Sequence, residues 1–129
     1  MDCAYIGDSI AVGLHRLDND CAVYARSGAS SEFITRRYQH ADADDYVVIS
    51  MGSNDPNNPN LLENAERLRR SITARKVIWI LPYNRIAAGD IAIVAREFRD
   101  SVVDLRPIPS RDGLHPDYHR ANRAVRSRL

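Results

Sequence analysis

Short apolar runs alternate with segments of helical periodicity along the whole sequence, and this order constrains the fold most. Five continuous apolar runs predict buried strands at residues 3–6, 21–25, 46–49, 77–81 and 102–105. Helical spacing predicts helices at residues 10–17, 30–40, 60–74, 91–98 and 116–128. Strands that are apolar on both faces and separated by helices are typical of a parallel sheet covered on both sides.

Right-handed crossovers between parallel strands restrict this order to a doubly wound α/β fold. We therefore predict a three-layer αβα sandwich around a parallel five-stranded sheet, of the flavodoxin-like kind. Residues 1–129 are assigned to one domain, because a chain of this length can hold one hydrophobic core.

The charge is balanced overall but uneven along the chain. Lys and Arg total 18 against 17 Asp and Glu, which argues against nucleic acid or a membrane surface as the main partner. Residues 1–66 combine 4 Arg with 11 acidic residues, whereas residues 67–129 combine 13 Arg and 1 Lys with 6 acidic residues. Such a split is usually a solvated surface, and it is also compatible with a homo-oligomer in which complementary halves pair.

The number of cysteines and the length of the apolar runs are the two features used to predict where in the cell the protein resides. Cys3 and Cys21 are too few for a disulfide framework, so we predict two buried free thiols, with a single bridge as the alternative. The longest apolar runs have about five residues, against the ~20 of a membrane span, and no signal peptide is recognised. We expect a cytoplasmic protein or a component of a larger particle.

Polar residues follow the predicted strands at the end where parallel sheets carry their reactive groups. The strand-ending segments are 7–9, 27–28, 52–55, 82–83 and 110–115, and we expect them at one edge of the sheet. They bring a serine, a glycine, an asparagine, an aspartate and a histidine together. These residue types suit acyl transfer, because a serine hydroxyl becomes a good nucleophile only when a base takes its proton.

Four of these segments resemble the sequence blocks of the SGNH (GDSL-type) hydrolases, in the same order. They are Gly7-Asp8-Ser9-Ile10, Ser27-Gly28-Ala29-Ser30, Gly52-Ser53-Asn54-Asp55 and Asp112-Gly113-Leu114-His115-Pro116. The matched blocks run from residue 7 to residue 116, and Ile10 stands where the family's first block has leucine.

The resemblance implies a role for each matched residue. Ser9 is expected as the nucleophile, His115 as the general base and acid, and Asp112 as the carboxylate that orients it. The backbone N–H groups of Ser9 and Gly28 and the side chain of Asn54 are expected to form the oxyanion hole. No cofactor and no metal are implied.

The predicted function is therefore that of a serine esterase. It is expected to hydrolyse short acyl esters, acetyl foremost, of a carbohydrate through an acyl-enzyme at Ser9. A lipid or thioester acyl hydrolase of the same fold is one alternative, and a non-catalytic SGNH-like binding module of a larger assembly such as a phage particle is another. The expected partner is a small-molecule or glycan ester, with specificity set by short loops such as residues 82–90 and 106–111 or by a neighbouring chain.

The same residues also have structural interpretations. Ser9 is a good helix N-cap, and Asn54 belongs to a turn-forming sequence. His115 and His119 stand four residues apart, and with Asp112 they form an alternative metal-binding set.

The first motif, around Ser9, and the histidines other than His115 also have other interpretations. The run Gly7-x-Ser9-x-Ala11 is close to the nucleophile elbow of the α/β-hydrolases, although only one strand precedes it. We predict that Asp8 and Asp55 hold loops through side-chain hydrogen bonds. His15 and His40 are predicted to be solvated, and so is His119.

Overall fold

A five-stranded parallel sheet forms the middle layer of the computed structural model, which describes residues 2–129. The strands are β1 (Cys3–Gly7), β2 (Ala22–Ala25), β3 (Tyr46–Ser50), β4 (Lys76–Leu81) and β5 (Ser101–Asp104). Their order across the sheet is β2-β1-β3-β4-β5, so the direction of growth reverses beside β1. This is the predicted doubly wound, flavodoxin-like topology, which is thereby confirmed.

Five helices cover the two faces of the sheet. They are α1 (Ser9–His15), α2 (Ser31–Tyr38), α3 (Leu61–Ser71), α4 (Arg85–Glu97) and α5 (Tyr118–Arg126). Helices α2, α3 and α4 contribute to the core on one face, and α1 and α5 contribute to the core on the other. The three-layer sandwich is therefore confirmed. Among residues 2–129, no helix is both long enough and apolar enough to cross a bilayer.

Both faces of the central strands are buried, as their continuous apolar sequences predict. Ile6 and Trp79 belong to one core and Tyr5 and Ile78 to the other, and all four are inaccessible to solvent. Burying a large apolar side chain in this way stabilises a fold by about 1.5–3 kcal/mol. The sheet is therefore a rigid support for the loops that follow its strands.

Backbone contacts at the carboxyl ends of β1, β2 and β3 fix where the first loop begins. Gly7 has a φ of +142°, and a Cβ built on it would meet the carbonyl oxygen of Ser50 at 1.8 Å, so only glycine fits. The N–H of Asp8 donates to the Ser50 carbonyl at 3.1 Å, and the N–H of Arg26 donates to the Gly7 carbonyl at 2.9 Å. These bonds set the position of Ser9 relative to its two neighbouring loops.

Helix α4 begins earlier than predicted, at Arg85 instead of residue 91. The side chain of Asn84 caps it by accepting from the N–H groups of Ile86 and Ala87, both at 3.0 Å. Gly89 therefore lies inside the helix and does not begin it. The prediction that residues 82–90 form a specificity loop is wrong, because only 82–84 connect β4 to α4.

The two cysteines form a disulfide, so the prediction of free thiols is wrong. Cys3 is the first residue of β1 and Cys21 directly precedes β2, the strand that pairs with β1. Their Cα atoms are 4.8 Å apart, which is within bridging distance. Free thiols therefore no longer support the expectation of a cytoplasmic protein, since disulfides persist mainly in oxidising surroundings.

His15 also differs from its prediction. It is half-buried, its Nε2 lies 2.8 Å from the carbonyl oxygen of Cys21, and its ring meets Tyr5 edge-on at 6.1 Å between centroids. The hydroxyl of Tyr5 donates to Asp18 at 2.9 Å in the same cluster. This histidine therefore holds the connection from α1 to β2 instead of facing solvent, whereas His40 is exposed as predicted.

Candidate active site

Ser9, His115 and Asp112 form a continuous chain of hydrogen bonds at the carboxyl edge of the sheet. Ser9 Oγ lies 2.9 Å from His115 Nε2, and His115 Nδ1 lies 2.8 Å from Asp112 Oδ2. Ser9 begins α1 directly after β1, whereas His115 and Asp112 stand between β5 and α5. The fold thus brings together three residues that the sequence places at opposite ends of the chain.

The bonds to Asp112 determine the direction in which protons can move. Its side chain accepts from the His115 ring and from the backbone N–H groups of His115 and Leu114, which hold the pKa of Asp112 below its usual range. An ionised carboxylate only accepts hydrogen bonds, so His115 Nδ1 carries the proton. Nε2 is then the acceptor for the Ser9 hydroxyl, which is the tautomer that a general base requires.

Ser110 organises the loop that carries this pair, and the sequence analysis missed it. Its hydroxyl lies 2.6 Å from the carbonyl oxygen of His115, to which it donates, and it accepts from the N–H of Gly113 at 2.9 Å. Ser110 also pairs with Pro116 in an antiparallel bridge, which closes the loop. The available signal was the serine placed two residues before Asp-Gly, a turn-forming arrangement.

Gly28 and Asn54 stand in the loops after β2 and β3, the two strands that flank β1. Gly28 has a φ of +81°, in the region that favours glycine, and its backbone is exposed. Asn54 Nδ2 donates to the carbonyl oxygen of Ala29 at 3.0 Å. Because a side-chain amide carries two N–H groups, Asn54 keeps one for a further acceptor.

Asp8 and Asp55 hold these loops through their side chains, as predicted. Asp8 Oδ1 accepts from a backbone N–H of α1 at 3.1 Å and from the Ser50 hydroxyl at 2.8 Å. Asp8 therefore caps α1, and the alternative in which Ser9 is the cap is wrong. Asp55 accepts from the N–H of Ser31 at 3.0 Å, which ties the loop after β3 to the start of α2.

The chain of hydrogen bonds is open to solvent. The side chains of His115 and Asp112 are 44% and 54% exposed. A hollow of about 430 Å³ adjoins them, lined by Pro109, Ser110, Arg111, Asp112, His115, Pro116 and Asp117. Both ring nitrogens of His115 are engaged by Ser9 and Asp112, and residues 2–129 contain no group of three side chains placed to hold a metal.

Several solved structures have the architecture described above. A carbohydrate acetylesterase family member from Sinorhizobium meliloti superposes with a TM-score of 0.64 at 16% identity, over 98% of this chain and 94% of that one. The chain described above therefore has the same fold as that acetylesterase family member. The aryl esterase of M. smegmatis gives 0.62 at 14% identity, over 98% of this chain and 99% of that one.

A third structure is the C-terminal catalytic domain of the Streptococcus pneumoniae peptidoglycan O-acetyltransferase A. It superposes with a TM-score of 0.63 at 14% identity, over 98% of this chain and 91% of that one. No family model matches the sequence, and no curated protein matches it either. The likeness covers nearly the whole of each chain and establishes the fold, so the chemistry must be argued from the site itself.

Proposed function

We propose that this chain is a serine esterase that removes short acyl groups, acetyl foremost, from a carbohydrate. The observation that carries the proposal is the hydrogen-bonded chain from Ser9 through His115 to Asp112. Each distance lies within the reach needed for proton transfer between a nucleophile, its base and an orienting carboxylate. The shared fold with a carbohydrate acetylesterase family member and an aryl esterase supports the substrate class.

Acylation begins when Ser9 Oγ attacks the carbonyl carbon of the ester and His115 Nε2 takes the hydroxyl proton. The Oγ–C bond forms while the carbonyl double bond opens, which places a negative charge on the oxygen. The N–H groups of Ser9 and Gly28 and the free N–H of Asn54 are the proposed donors to this oxyanion. Collapse breaks the bond to the alcohol oxygen, which leaves with the proton from His115.

Deacylation repeats these steps with water. His115 Nε2 takes a proton as the water oxygen attacks the acyl carbon, and the same proton then returns to Ser9 Oγ as the acyl–Oγ bond breaks. Asp112 stays ionised throughout and stabilises the imidazolium that forms. The exposure of His115 supports water as the acceptor, because nothing has to move to admit it.

The lining of the hollow at His115 supports a small acyl group. Besides Pro109 and Pro116, its walls are polar side chains, and no Leu, Ile, Val, Met or Phe lines it. A long lipid chain gains about 0.8 kcal/mol for each CH₂ that it buries, and only the two proline rings of this hollow are wholly apolar side chains that could cover it. Acetyl esters of polar alcohols therefore suit the site better than lipid esters do.

Replacement of the nucleophile tests the proposed function. Ser9→Ala should lower the turnover of p-nitrophenyl acetate by about 10³-fold or more, since nucleophile and base act as a unit. A fluorophosphonate probe should label the wild type but not the variant. Ser127→Ala, which removes an exposed serine beyond α5, is the control and should behave as the wild type. Equal turnover by wild type and Ser9→Ala would reject the proposal, and an unlabelled folded wild type would favour a binding module.

Replacement of Asn54 tests the oxyanion hole separately. Asn54→Ala should lower kcat for p-nitrophenyl acetate by roughly 10²–10³, because one donor to the transition state is lost. KM should change far less, since a ground-state ester carbonyl accepts this hydrogen bond only weakly. A change confined to KM would assign Asn54 to substrate binding instead.

A further inference from the structure

A surface of arginine and aromatic side chains extends from the proposed oxyanion hole along β2 and α2. We name it the Arg–aromatic groove and define it by Tyr24, Arg26, Phe33, Arg37 and Tyr38. Three adjoining hollows form it, each open to solvent. The first includes Gly28, the first and second share Phe33, and the second and third share Arg37. The groove therefore reaches Gly28, one of the residues proposed for the oxyanion hole.

The two arginines of the groove are held by aromatic rings and have no acidic partner. The guanidinium carbon of Arg26 lies 5.2 Å from the ring centre of Phe33, and that of Arg37 lies 5.8 Å from the ring centre of Tyr38. No carboxylate within residues 2–129 forms an ion pair with either arginine, whereas Arg36 between them pairs with Glu32. Stacking orients a guanidinium and leaves its N–H edge for a ligand.

The aromatic rings form a row beside these arginines. The ring centres of Phe33 and Tyr38 are 6.0 Å apart, and those of Tyr38 and Tyr24 are 6.4 Å apart. Tyr24 is exposed, and the other two rings are half-buried. Such rings offer flat apolar faces with a polar rim, which suit the C–H faces and hydroxyl edges of sugar rings.

The groove is positively charged, although it lies in the acidic half of the sequence, residues 1–66. Residues 22–41 contain three Arg and one acidic residue, whereas the rest of residues 1–66 contains one Arg and ten acidic residues. A local cationic strip attracts an anionic ligand, and the planar guanidinium fork fits a carboxylate through two parallel hydrogen bonds. A neutral glycan could accept hydrogen bonds from these two arginines but would not neutralise their charge.

We propose that the Arg–aromatic groove is a subsite for an acetylated polysaccharide that bears carboxylate groups, as a polymer of uronic acids does. Its sugar rings pack on Phe33 and Tyr38 while its carboxylates pair with Arg26 and Arg37. The chain then crosses Gly28 and presents an acetyl ester to Ser9. This inference rests on the proposed esterase function and specifies its substrate class.

A binding experiment tests the subsite without catalysis. Polygalacturonate oligomers are titrated calorimetrically into the Ser9→Ala protein, with dextran oligomers of equal length and inorganic polyphosphate as comparisons. Adding Arg26→Ala or Arg37→Ala should weaken polygalacturonate binding by about ten-fold or more, since each substitution removes charge-assisted hydrogen bonds to a carboxylate. Arg96→Ala removes an exposed arginine from α4 and is the matched control, expected to bind as the parent does.

Three binding outcomes would overturn the subsite. They are equal binding of polygalacturonate and dextran, unchanged binding by both arginine variants, and tighter binding of polyphosphate than of polygalacturonate. Sedimentation velocity supplies a fourth, because a dimer that Arg37→Ala dissociates would assign the groove to a second copy of this chain.

A turnover experiment separates the subsite from the esterase function. Polygalacturonate and dextran are chemically O-acetylated to equal extents, and kcat/KM for acetate release is measured on both. The wild type should prefer the anionic polymer by about ten-fold, and Arg26→Ala should reduce that preference. A preference that Arg26→Ala leaves intact would overturn the subsite while the esterase stands. Turnover that survives in Ser9→Ala would instead overturn the esterase, and the binding data would still decide the subsite.

Discussion

Among single residues, Asp8 places a carboxyl group in the interior beside the proposed nucleophile. Its Oδ1 has two donors, but its Oδ2 is buried and has no hydrogen-bond partner within residues 2–129. Loss of hydration outweighs these hydrogen bonds and raises the pKa of Asp8 to about 6. The carboxyl group is therefore neutral in mildly acidic solution and becomes charged as the solution approaches neutrality.

This titration should make the stability of the protein depend on pH. An aspartate titrates near 3.8 when unperturbed, so between that value and about 6 the folded state binds more protons than the unfolded state. The contribution of Asp8 to stability is thus fully present below that window and falls as the pH rises through it. The difference between the two pKa values corresponds to about 3 kcal/mol.

Asp8→Asn should remove this dependence. Asparagine caps a helix as well as aspartate does and carries no charge. Between about pH 4 and about pH 7, the free energy of unfolding should shift in favour of the variant by about 1–3 kcal/mol. Urea unfolding at several pH values measures this, with the exposed Asp20→Asn as the control. If the stability curves of wild type and Asp8→Asn run parallel, burial of Asp8 has no such effect.

Strands are the elements that this sequence predicts best. Every observed strand end lies within about one residue of its predicted position, because each strand is apolar on both faces and is followed by polar or turn-forming residues. The flavodoxin-like order of the strands follows from the handedness of the crossovers. The sequence therefore predicts which ends of the strands meet, and with them the edge that carries the site.

Helix ends are predicted less well, because they depend on which neighbouring side chain caps the helix. Asn84 caps α4 through two backbone N–H groups, whereas the predicted helix starts at residue 91, after Gly89, because glycine is a poor helix former. Helix α5 begins at Tyr118 instead of at Pro116, because Asp117 caps it by accepting from the N–H of Arg120 at 3.2 Å. The spacing of apolar residues alone does not show which of several neighbouring polar side chains caps a helix.

In the candidate site, too, the sequence predicts which residues follow the strands, but it does not predict the hydrogen bonds that hold their side chains. Four motifs place Ser9, Gly28, Asn54, Asp112 and His115 in loops that follow strands. The fold brings Ser9, Asp112 and His115 into contact. The bonds made by Ser110 depend on rotamers and on distances inside its loop, which residue types do not reveal. Motif order indicates which residues lie close together, their catalytic roles stay a prediction, and the three-dimensional geometry shows how the side chains are held.

Across the whole molecule, the strands of the acidic and basic halves of the sequence occupy opposite ends of the sheet, whereas α5 of the basic half packs against α1 of the acidic half. Strands β1, β2 and β3 come from the acidic half and lie together, and β4 and β5 come from the basic half. The Arg–aromatic groove interrupts this pattern with positive charge at the outer edge of the acidic side. Pairing of complementary halves in a homo-oligomer stays a prediction, which the sedimentation experiment described above also addresses.

The disulfide was misjudged because its pairing depends on which strands are neighbours. Ala4 of β1 lies opposite Ala22 of β2 in the parallel register, and the preceding residue of each strand is a cysteine. The bridge therefore joins the amino ends of two adjacent strands across α1, with a sequence separation of 18 residues. The sequence alone does not show that the two cysteines lie close together in space, because this depends on the order of the strands in the sheet.

Removal of this bridge should destabilise the protein and leave its site working. A bridge over a loop of this length lowers the entropy of the unfolded chain by an amount worth about 3 kcal/mol. Cys3→Ala combined with Cys21→Ala should therefore reduce the free energy of urea unfolding by about 3 kcal/mol. Cys3 lies at the amino end of β1 and Ser9 lies beyond its carboxyl end, so the turnover of p-nitrophenyl acetate should stay within about two-fold of the wild type.

A reducing agent provides the matched control for this prediction. It should lower the stability of the wild type toward that of the double variant and should leave the double variant unchanged, because only the wild type has a bond to break. Equal stability of wild type and double variant without reductant would mean that the bridge does not restrict the unfolded chain. A large loss of turnover in the stable, folded double variant would show instead that the amino end of β1 controls the position of Ser9, which the rigid pairing of β1 with β2 and β3 argues against.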